Sequence, residues 1–462
     1  MESQEQSERQ ICRVIVLGRD GAEILLKIAG TGFAFPALEI PRWERSAENL
    51  TATLRRDWGC DAVCLFTPDP SSADSEHSEV MECLCDQGRK KETAWKPVLS
   101  LTADSFENGA EHRILEQCLH QLSRYERDPS SPFGRRGWLD ELRCWTAEVI
   151  RPLRLRLTGP FCQYNAGPSF SLIRFETNGP AVWFKAVGEP NLREFPITMH
   201  LAELFPTFVP EILGTKPRWN GWLSREVDGT NLGEAKDIAL WERAATDLAI
   251  LQIQTISRSE PILHSSAHDL RPDSLLASID PFFELVARLM ENQPQVPPPL
   301  LNPQELSLLK LRIEDALRQF ENLKVPNALG HLDLNPRNIM VSVDRCVFLD
   351  WAEACVGPPF LCLEYLLQHF RREMIAANAA LESELVDAYK APWRQLLADD
   401  VIHQALTLTP SLAVYAYAAG TGTWKDEERL RDPKIAGYFR SLARRMNREV
   451  IQLVEGRSPC LN

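Results

Sequence analysis

Short apolar runs bounded by turn residues alternate along the first quarter of the chain. Cys12-Arg-Val-Ile-Val-Leu17 and Glu23-Ile-Leu-Leu-Lys-Ile28 flank Asp20-Gly21 and read as two strands joined by a tight turn. Ala47 to Trp58 reads as a helix stopped at Gly59, because glycine takes the left-handed conformation that ends helices. Val63-Cys-Leu-Phe66 and Glu79-Val-Met-Glu-Cys-Leu84 predict two further strands, separated by an acidic Ser-rich loop from Pro68 to His77. After a break at Pro129 to Gly134, Trp138, Leu142, Trp145 and Val149 recur at helical spacing, which predicts an amphipathic helix whose tryptophans pack between neighbouring units. Phe170 to Thr177 and Ala181 to Val187 alternate as strands around Asn178-Gly179, a strong hairpin signal. A Pro-rich run from Gln293 to Pro299 marks another break.

Further on, Ile339-Met-Val-Ser-Val343 and Cys346-Val-Phe-Leu349 are separated by the polar pair Asp344-Arg345. That pattern predicts a second tight hairpin, which would carry Asn338 and Asp350 to the same end of a two-stranded ribbon. Immediately before it stands His331-Leu-Asp333-Leu-Asn-Pro-Arg-Asn338. Phosphoryl transfer needs a carboxylate to take the acceptor's proton, and an amide with a second carboxylate to hold magnesium on the phosphates. A loop of the form H-x-D-x-x-x-x-N supplies the first two, and an Asp closing the next strand supplies the third.

These residues resemble the aminoglycoside phosphotransferase and choline kinase group of protein-kinase-like enzymes, whose loop typically reads H-G-D-x-x-x-x-N. The resemblance implies Asp333 as catalytic base, Asn338 and Asp350 as magnesium ligands, and His331 as a brace. It implies ATP and Mg as cofactors and a lysine on an upstream strand, which is Lys185, contacting the α- and β-phosphates. The carboxylate orienting that lysine would be Glu194, with Glu203 as the alternative. Asn165-Ala-Gly167-Pro-Ser169-Phe170 is similar to the family's phosphate-covering loop, so Gly167 and Ser169 are nucleotide-contact positions. Alignment on Gly229 adds Arg225 and Val227 at the adenine-binding hinge.

Two departures favour a small-molecule acceptor over a protein. Asn335 stands where many Ser/Thr protein kinases have Lys, and the chain runs from Asp350 to an apolar segment at Phe360 with no activation segment or A-P-E motif between. Cys362 replaces an Asp that family members often carry, and Trp424-Lys-Asp-Glu-Glu428 offers an aromatic and three acids as an acceptor lip.

The layout of strands and helix before residue 125 resembles the Nudix fold. A Nudix hydrolase carries R-E-x-x-E-E-x-G on its helix, whereas this chain reads Ala52-Thr-Leu-Arg-Arg-Asp57-Trp-Gly59. Thr53, Arg56 and Asp57 stand where three glutamates are required, so the resemblance implies a domain without hydrolase activity.

The fold expectation is α+β: a Nudix-like α/β domain over 1–125, a linker with a helix over 126–151, and a two-lobed kinase-like domain over 152–462. Its N-lobe would cover about 152–230 and its C-lobe about 231–462. The function expected is ATP- and Mg-dependent phosphorylation of a hydroxyl on an amino sugar, sugar or amino alcohol. The alternatives from other classes are a nucleotide-binding regulator without turnover and a Nudix-type hydrolase.

Composition narrows the partners. At 462 residues, 44% apolar and 25% charged, the chain has material for two or three domains. A formal net charge of −13 opposes nucleic-acid binding, which rests on Lys and Arg neutralising phosphates. Met1 to Gln10 is polar and acidic, and no run approaches the ~20 apolar residues that span a bilayer. A cytoplasmic protein with no membrane partner is expected, and no signal speaks to its oligomeric state. Twelve cysteines lack any Cys-x-x-Cys pattern, which predicts reduced, mostly buried thiols; His264 and His268 are read as loop residues.

Overall fold

The computed structural model describes residues 9–42, 45–69, 78–86, 92–294, 298–374 and 378–454. The polar start of the chain, nearly all of the Ser-rich loop and the middle of the Pro-rich run therefore lie outside the described residues. The chain divides into two compact units. One runs to Phe195 and includes Glu211–Glu226, and the other comprises Pro196–Pro210 and everything from Val227 onward.

The first unit contains two sheets. Strands β1 (Arg9–Leu17), β2 (Glu23–Ala29), β3 (Gly32–Ala34) and β4 (Ala37–Pro41) precede helix α1 (Ser46–Trp58). Then follow β5 (Cys60–Phe66), β6 (Ser78–Asp86), β7 (Thr93–Pro97) and helices α2 (Gly109–Tyr125) and α3 (Trp138–Ile150). The path of this sheet is β3-β2-β1-β6-β5, with β4 on β1 and β7 on β2. β1 and β6 pair in parallel, Ile15 opposite Val80, which the intervening helix and strands make possible. Gly59 closes α1 at φ 64°, where an L-residue would be strained, and its N–H bonds back to Arg55.

The second sheet holds β8 (Leu157–Gly167), β9 (Phe170–Thr177), β10 (Val182–Ala186), β11 (Ile212–Lys216) and β12 (Gly221–Arg225), ordered β11-β12-β10-β9-β8. All its pairings are antiparallel. One apolar cluster joins both sheets, from Ile15 and Phe66 through Phe133 and Trp138 to Ile173 and Phe184. Trp138 is fully buried against Phe133, edge to face at 5.1 Å, so the helix expected as a linker lies inside the core. A polar clasp crosses this core. The buried Gln163 side chain on β8 accepts from Cys64 N at 2.8 Å and donates to Cys64 O at 3.1 Å, leaving none of these groups unpaired.

The second unit is mostly helical. Helix α4 (Glu194–Leu204) leads into it. It then contains β13 (Thr230–Asn231), α5 (Ile238–Thr255), α6 (Ser259–His264), β14 (His268–Asp269), α7 (Pro272–Glu291) and α8 (Pro303–Asn322). Next come β15 (Ala328–His331), β16 (Ile339–Val341), β17 (Cys346–Phe348), β18 (Ala354–Gly357), α9 (Phe360–Glu373), α10 (Ala379–Trp393), α11 (Asp399–Gly420) and α12 (Pro433–Val454). Two three-stranded sheets, β13-β16-β17 and β14-β18-β15, are embedded among the helices. His268 is part of β14, and His264 ends α6, so neither is a loop residue. The architecture is α+β. No described helix is long and apolar enough to cross a membrane.

Candidate active site

In the second unit, β15 delivers His331 to the loop that runs on to Asn338. Its ring is fully buried, stacked near Trp351 at 4.9 Å, and one ring nitrogen lies 3.0 Å from Leu349 O. Burial lowers the His331 pKa, so the imidazole stays neutral and acts as a strut rather than an acid. The strut joins the loop to the residue before Asp350. From there the chain turns outward, leaving Asp333 exposed.

The loop is held by its own backbone. Asn335 N donates to Asp333 O at 2.7 Å, Asn338 N to Asn335 O at 2.8 Å, and Asn338 Nδ2 to Asp333 O at 3.3 Å. With its amide nitrogen engaged, the Asn338 side chain presents its oxygen as the remaining ligand-type group. Asn335 accepts from Arg337 N at 2.9 Å and caps the short Pro336–Asn338 turn. The residue that differs from protein kinases is thus a local capping group here.

β16 and β17 form the expected hairpin, with Ile339 opposite Phe348. Leu349 N donates to Asn338 O at 2.8 Å, which fixes Asn338 and Asp350 at one end of the ribbon. Asp350 is exposed and sits at φ 62°, a conformation that costs ~1 kcal/mol or more in a residue with a side chain. Strain of this kind persists where the surroundings demand one side-chain direction. From α5, Asp247 steadies the hairpin by accepting from Cys346 N at 2.8 Å.

Cys362 is buried on α9, and its sulfur lies 3.2 Å from His331 N. The position that departs from the family pattern therefore supports the loop through a thiol. Three residues that the sequence did not single out also gather here. Glu353 pairs with His268 at 3.2 Å, and Tyr417 on α11 receives a hydrogen bond from Tyr438 at 3.2 Å. Burial raises the Tyr417 pKa first, then Tyr438, and then the negative field of Asp333 and Glu353. Only the spacing of Glu353 after Asp350 could have drawn attention to this group. Trp424 is not on a lip. It is 7% exposed, packs edge to face on Phe282 at 5.7 Å and donates to Ala419 O at 2.8 Å.

In the first unit, Lys185 on β10 pairs with Glu194, Nζ to Oε1 at 2.5 Å, and the Glu194 side chain is 2% exposed. The ammonium also lies 5.9 Å from the Trp222 ring centre. Lys185 alternates along β10 with buried Phe184 and Ala186, whose side chains point to the opposite face, and is itself half-buried. Gly167 and Ser169 flank Pro168 in a tight turn, with Gly167 directly opposite Phe170. Ser169 packs on Gly188, where a Cβ would come within 2.1 Å of the Ser169 hydroxyl. Gly167 lies so close under the Phe170 ring that a Cβ would meet it at 2.4 Å.

Arg225 ends β12 and bonds Glu211 at 2.6 Å, while Val227 begins the next stretch of the second unit. Between them Glu226 accepts from Arg174 at 2.6 and 3.1 Å and from Trp183 at 3.3 Å. Hydrogen bonding to Arg174 holds the Glu226 carboxyl below the usual range. That anchor fixes the chain just before the crossing, and no local sequence pattern announced it.

Residues 192–397 match the model of APH, the phosphotransferase enzyme family. The span starts just before Glu194 and takes in His331, Asp333, Asn338 and Asp350. Over that span the chain is similar to this family of phosphotransferases. Solved structures with partial likeness include an ethanolamine kinase of Plasmodium vivax, 13% identical over 74% of this chain and 95% of that one, with a TM-score of 0.47. A choline/ethanolamine kinase family protein of Mesorhizobium loti is 16% identical over 69% and 95%, at 0.44. The macrolide 2′-phosphotransferase of Brachybacterium faecium is 18% identical over 64% and 97%, at 0.42. Among curated proteins none matches the chain.

Proposed function

We propose that this protein transfers the terminal phosphoryl group of ATP to a hydroxyl of a small molecule: an amino sugar, sugar or amino alcohol. The observation that carries the reading is the exposed Asp333, held by its own backbone, on a loop tied through buried His331 to the hairpin that presents Asn338 and Asp350. Asp333 orients the acceptor hydroxyl and receives its proton as the oxygen attacks. Lys185, steadied by Glu194, neutralises charge on the nucleotide phosphates. The side-chain oxygens of Asn338 and Asp350 suit a hard divalent cation, and magnesium bound there would supply electrostatic stabilisation of the phosphates. Gly167, Ser169, Arg225 and Val227 complete the nucleotide contacts in this reading.

The acceptor class follows from two features of the second unit. After Asp350 the chain makes one short turn, pairs as β18 and enters α9 at Phe360, which leaves no segment to hold a peptide. Asp333 and Glu353 place negative charge near the hydroxyl of Tyr417, to which Tyr438 donates, a setting suited to a cationic, hydroxyl-bearing molecule. In the same reading the N-terminal sheet is Nudix-like, without hydrolase activity, and serves as a structural partner of the five-stranded sheet.

A screen of amino sugars, amino alcohols and neutral sugars with labelled ATP and magnesium tests the proposal, with Asp333→Asn as the control. Label transfer to a small alcohol by wild type only is expected. Transfer to generic proteins with none to any small alcohol would overturn the acceptor class.

A further inference from the structure

Surface arginines are usually a solvated face. One group in the second unit differs, because it converges on a concavity. The C-terminal turns of α7, the loop and short turn before α12, and the first turns of α12 enclose a cavity of about 450 Å³. That volume falls within the ~300–1,000 Å³ range of small-molecule sites. Arg288 from α7, Arg431 from the turn and Arg440 from α12 line it, with Leu285, Leu289 and Leu430 contributing apolar wall.

Arg440 is only 9% exposed, yet its contact among the described residues is a long one, to Leu289 O at 3.4 Å. A guanidinium carries five donors, and good bonds run at about 2.7–3.2 Å, so the bonds found among the described residues use little of the hydrogen-bonding capacity that Arg440 brings to the cavity wall. The next turn repeats the charge. Arg444 bonds Pro299 O at 2.7 Å and the Gln293 side chain, both neutral oxygens, and Arg448 follows at the same spacing. Like charges four apart on a helix repel by ~0.2–0.5 kcal/mol per pair. Burial and the neighbouring Arg440 and Arg448 accordingly lower the Arg444 pKa. Among the described lining residues Glu427 is the one carboxylate, in a chain whose acids outnumber its bases by thirteen.

We propose that this cavity binds a small phosphate monoester with an apolar body. Three guanidinium groups from three elements match the three terminal oxygens and double charge of such a phosphate better than the two oxygens of a carboxylate. The leucine wall would take the apolar part. The site shares no residue with the proposed phosphotransfer machinery, so the two readings stand or fall separately.

Calorimetric titration of the full chain with phenyl phosphate tests the site, with a non-hydrolysable ATP analogue and magnesium present to occupy the nucleotide positions. Wild type should bind one equivalent, more weakly as salt rises. Benzoate and phenol should bind at least tenfold more weakly. The Arg288→Glu/Arg431→Glu variant changes two exposed side chains and should melt as wild type does, yet lose at least tenfold in phenyl phosphate affinity. If the double variant melts earlier, the single Arg288→Gln and Arg431→Gln variants carry the same test. No binding by wild type, equal affinity in the folded variants, or benzoate binding as tightly as phenyl phosphate would overturn the proposal.

Discussion

Asp57 at the end of α1 and Asp333 after β15 are acidic residues in stretches that resemble two different phosphate-handling motifs, and the protein treats them in opposite ways. Asp57 is clasped by Arg56 of its own helix at 2.9 and 3.1 Å, and Arg55 beside it is engaged with Asp61. Thr53, the third motif position, is buried. Around Asp333 the hydrogen bonds found among the described residues run through its backbone carbonyl, and the side chain is exposed. A carboxylate cancelled by an adjacent guanidinium offers little field to a divalent ion or a hydroxyl proton. One that is positioned by backbone and left open to solvent offers all of it. In the proposed reading, charge that is placed but not consumed separates a reactive site from a structural one.

The largest effect should come from breaking the reactive side. Asp333→Asn should lower phosphotransfer by ~10²–10⁴, the usual cost of losing a general base, while nucleotide affinity changes little. Steady-state rates and a nucleotide titration on the same preparation would check this. Undiminished turnover in a folded variant would remove Asp333 from the chemistry.

Next in size is a carboxyl that the first unit keeps from reacting. Glu79 on β6 is buried, accepts from Thr67 at 2.8 Å, and burial pushes its pKa up to about 7. Because the folded value lies above the unfolded one, the stability it contributes is full below about pH 4.5. That stability is lost as pH rises through about 7. Glu79→Gln keeps the shape and removes the charge, so it should raise stability at pH 8 by about 3 kcal/mol and flatten the pH dependence. Denaturant unfolding at pH 5 and pH 8 would show it. An equal effect at both values would mean the group is not neutral in the fold.

Asp350→Ala sharpens the reactive side by separating metal from base. Removing a charged oxygen ligand should weaken magnesium-dependent ATP binding about tenfold or more, with the metal-free nucleotide less affected. Calorimetry with and without magnesium decides it, and identical affinities would place the metal elsewhere.

Local patterns made much of this legible. The β9–β10 and β16–β17 hairpins, α1 with its glycine stop and the α3 helix follow from period and turn chemistry within about twenty residues. So did the loop from His331 to Asn338, because its residues are contiguous. The rest depends on partners far away in sequence. The parallel pairing of β1 with β6, the Gln163 clasp on Cys64 and the Arg174–Glu226 anchor each join residues more than 50 apart. Trp424 shows the same limit from the other side. Flanked by Lys425 and acids, it reads as a surface residue, and only the approach of Phe282 from α7 buries it. Tyr417 comes under the influence of Asp333 and Glu353 only through the packing of α11.

The smallest effect should be none, and it tests the structural side of the comparison. Full-length protein carrying Asp333→Asn, which silences phosphotransfer, should release no phosphate or mononucleotide from nucleoside diphosphate derivatives with magnesium. Thr53 is buried and cannot reach solvent to bind an ion, and Arg56 places a positive charge where the motif needs a negative one. Arg56→Ala in the wild-type background should leave phosphotransfer unchanged and the melting temperature without a measurable shift, since exposed ion pairs contribute little. If either protein hydrolyses these compounds above buffer after removal of contaminating enzymes, then α1 retains a metal site despite its pairing. Cancellation of charge by a neighbouring arginine would then no longer separate the two regions.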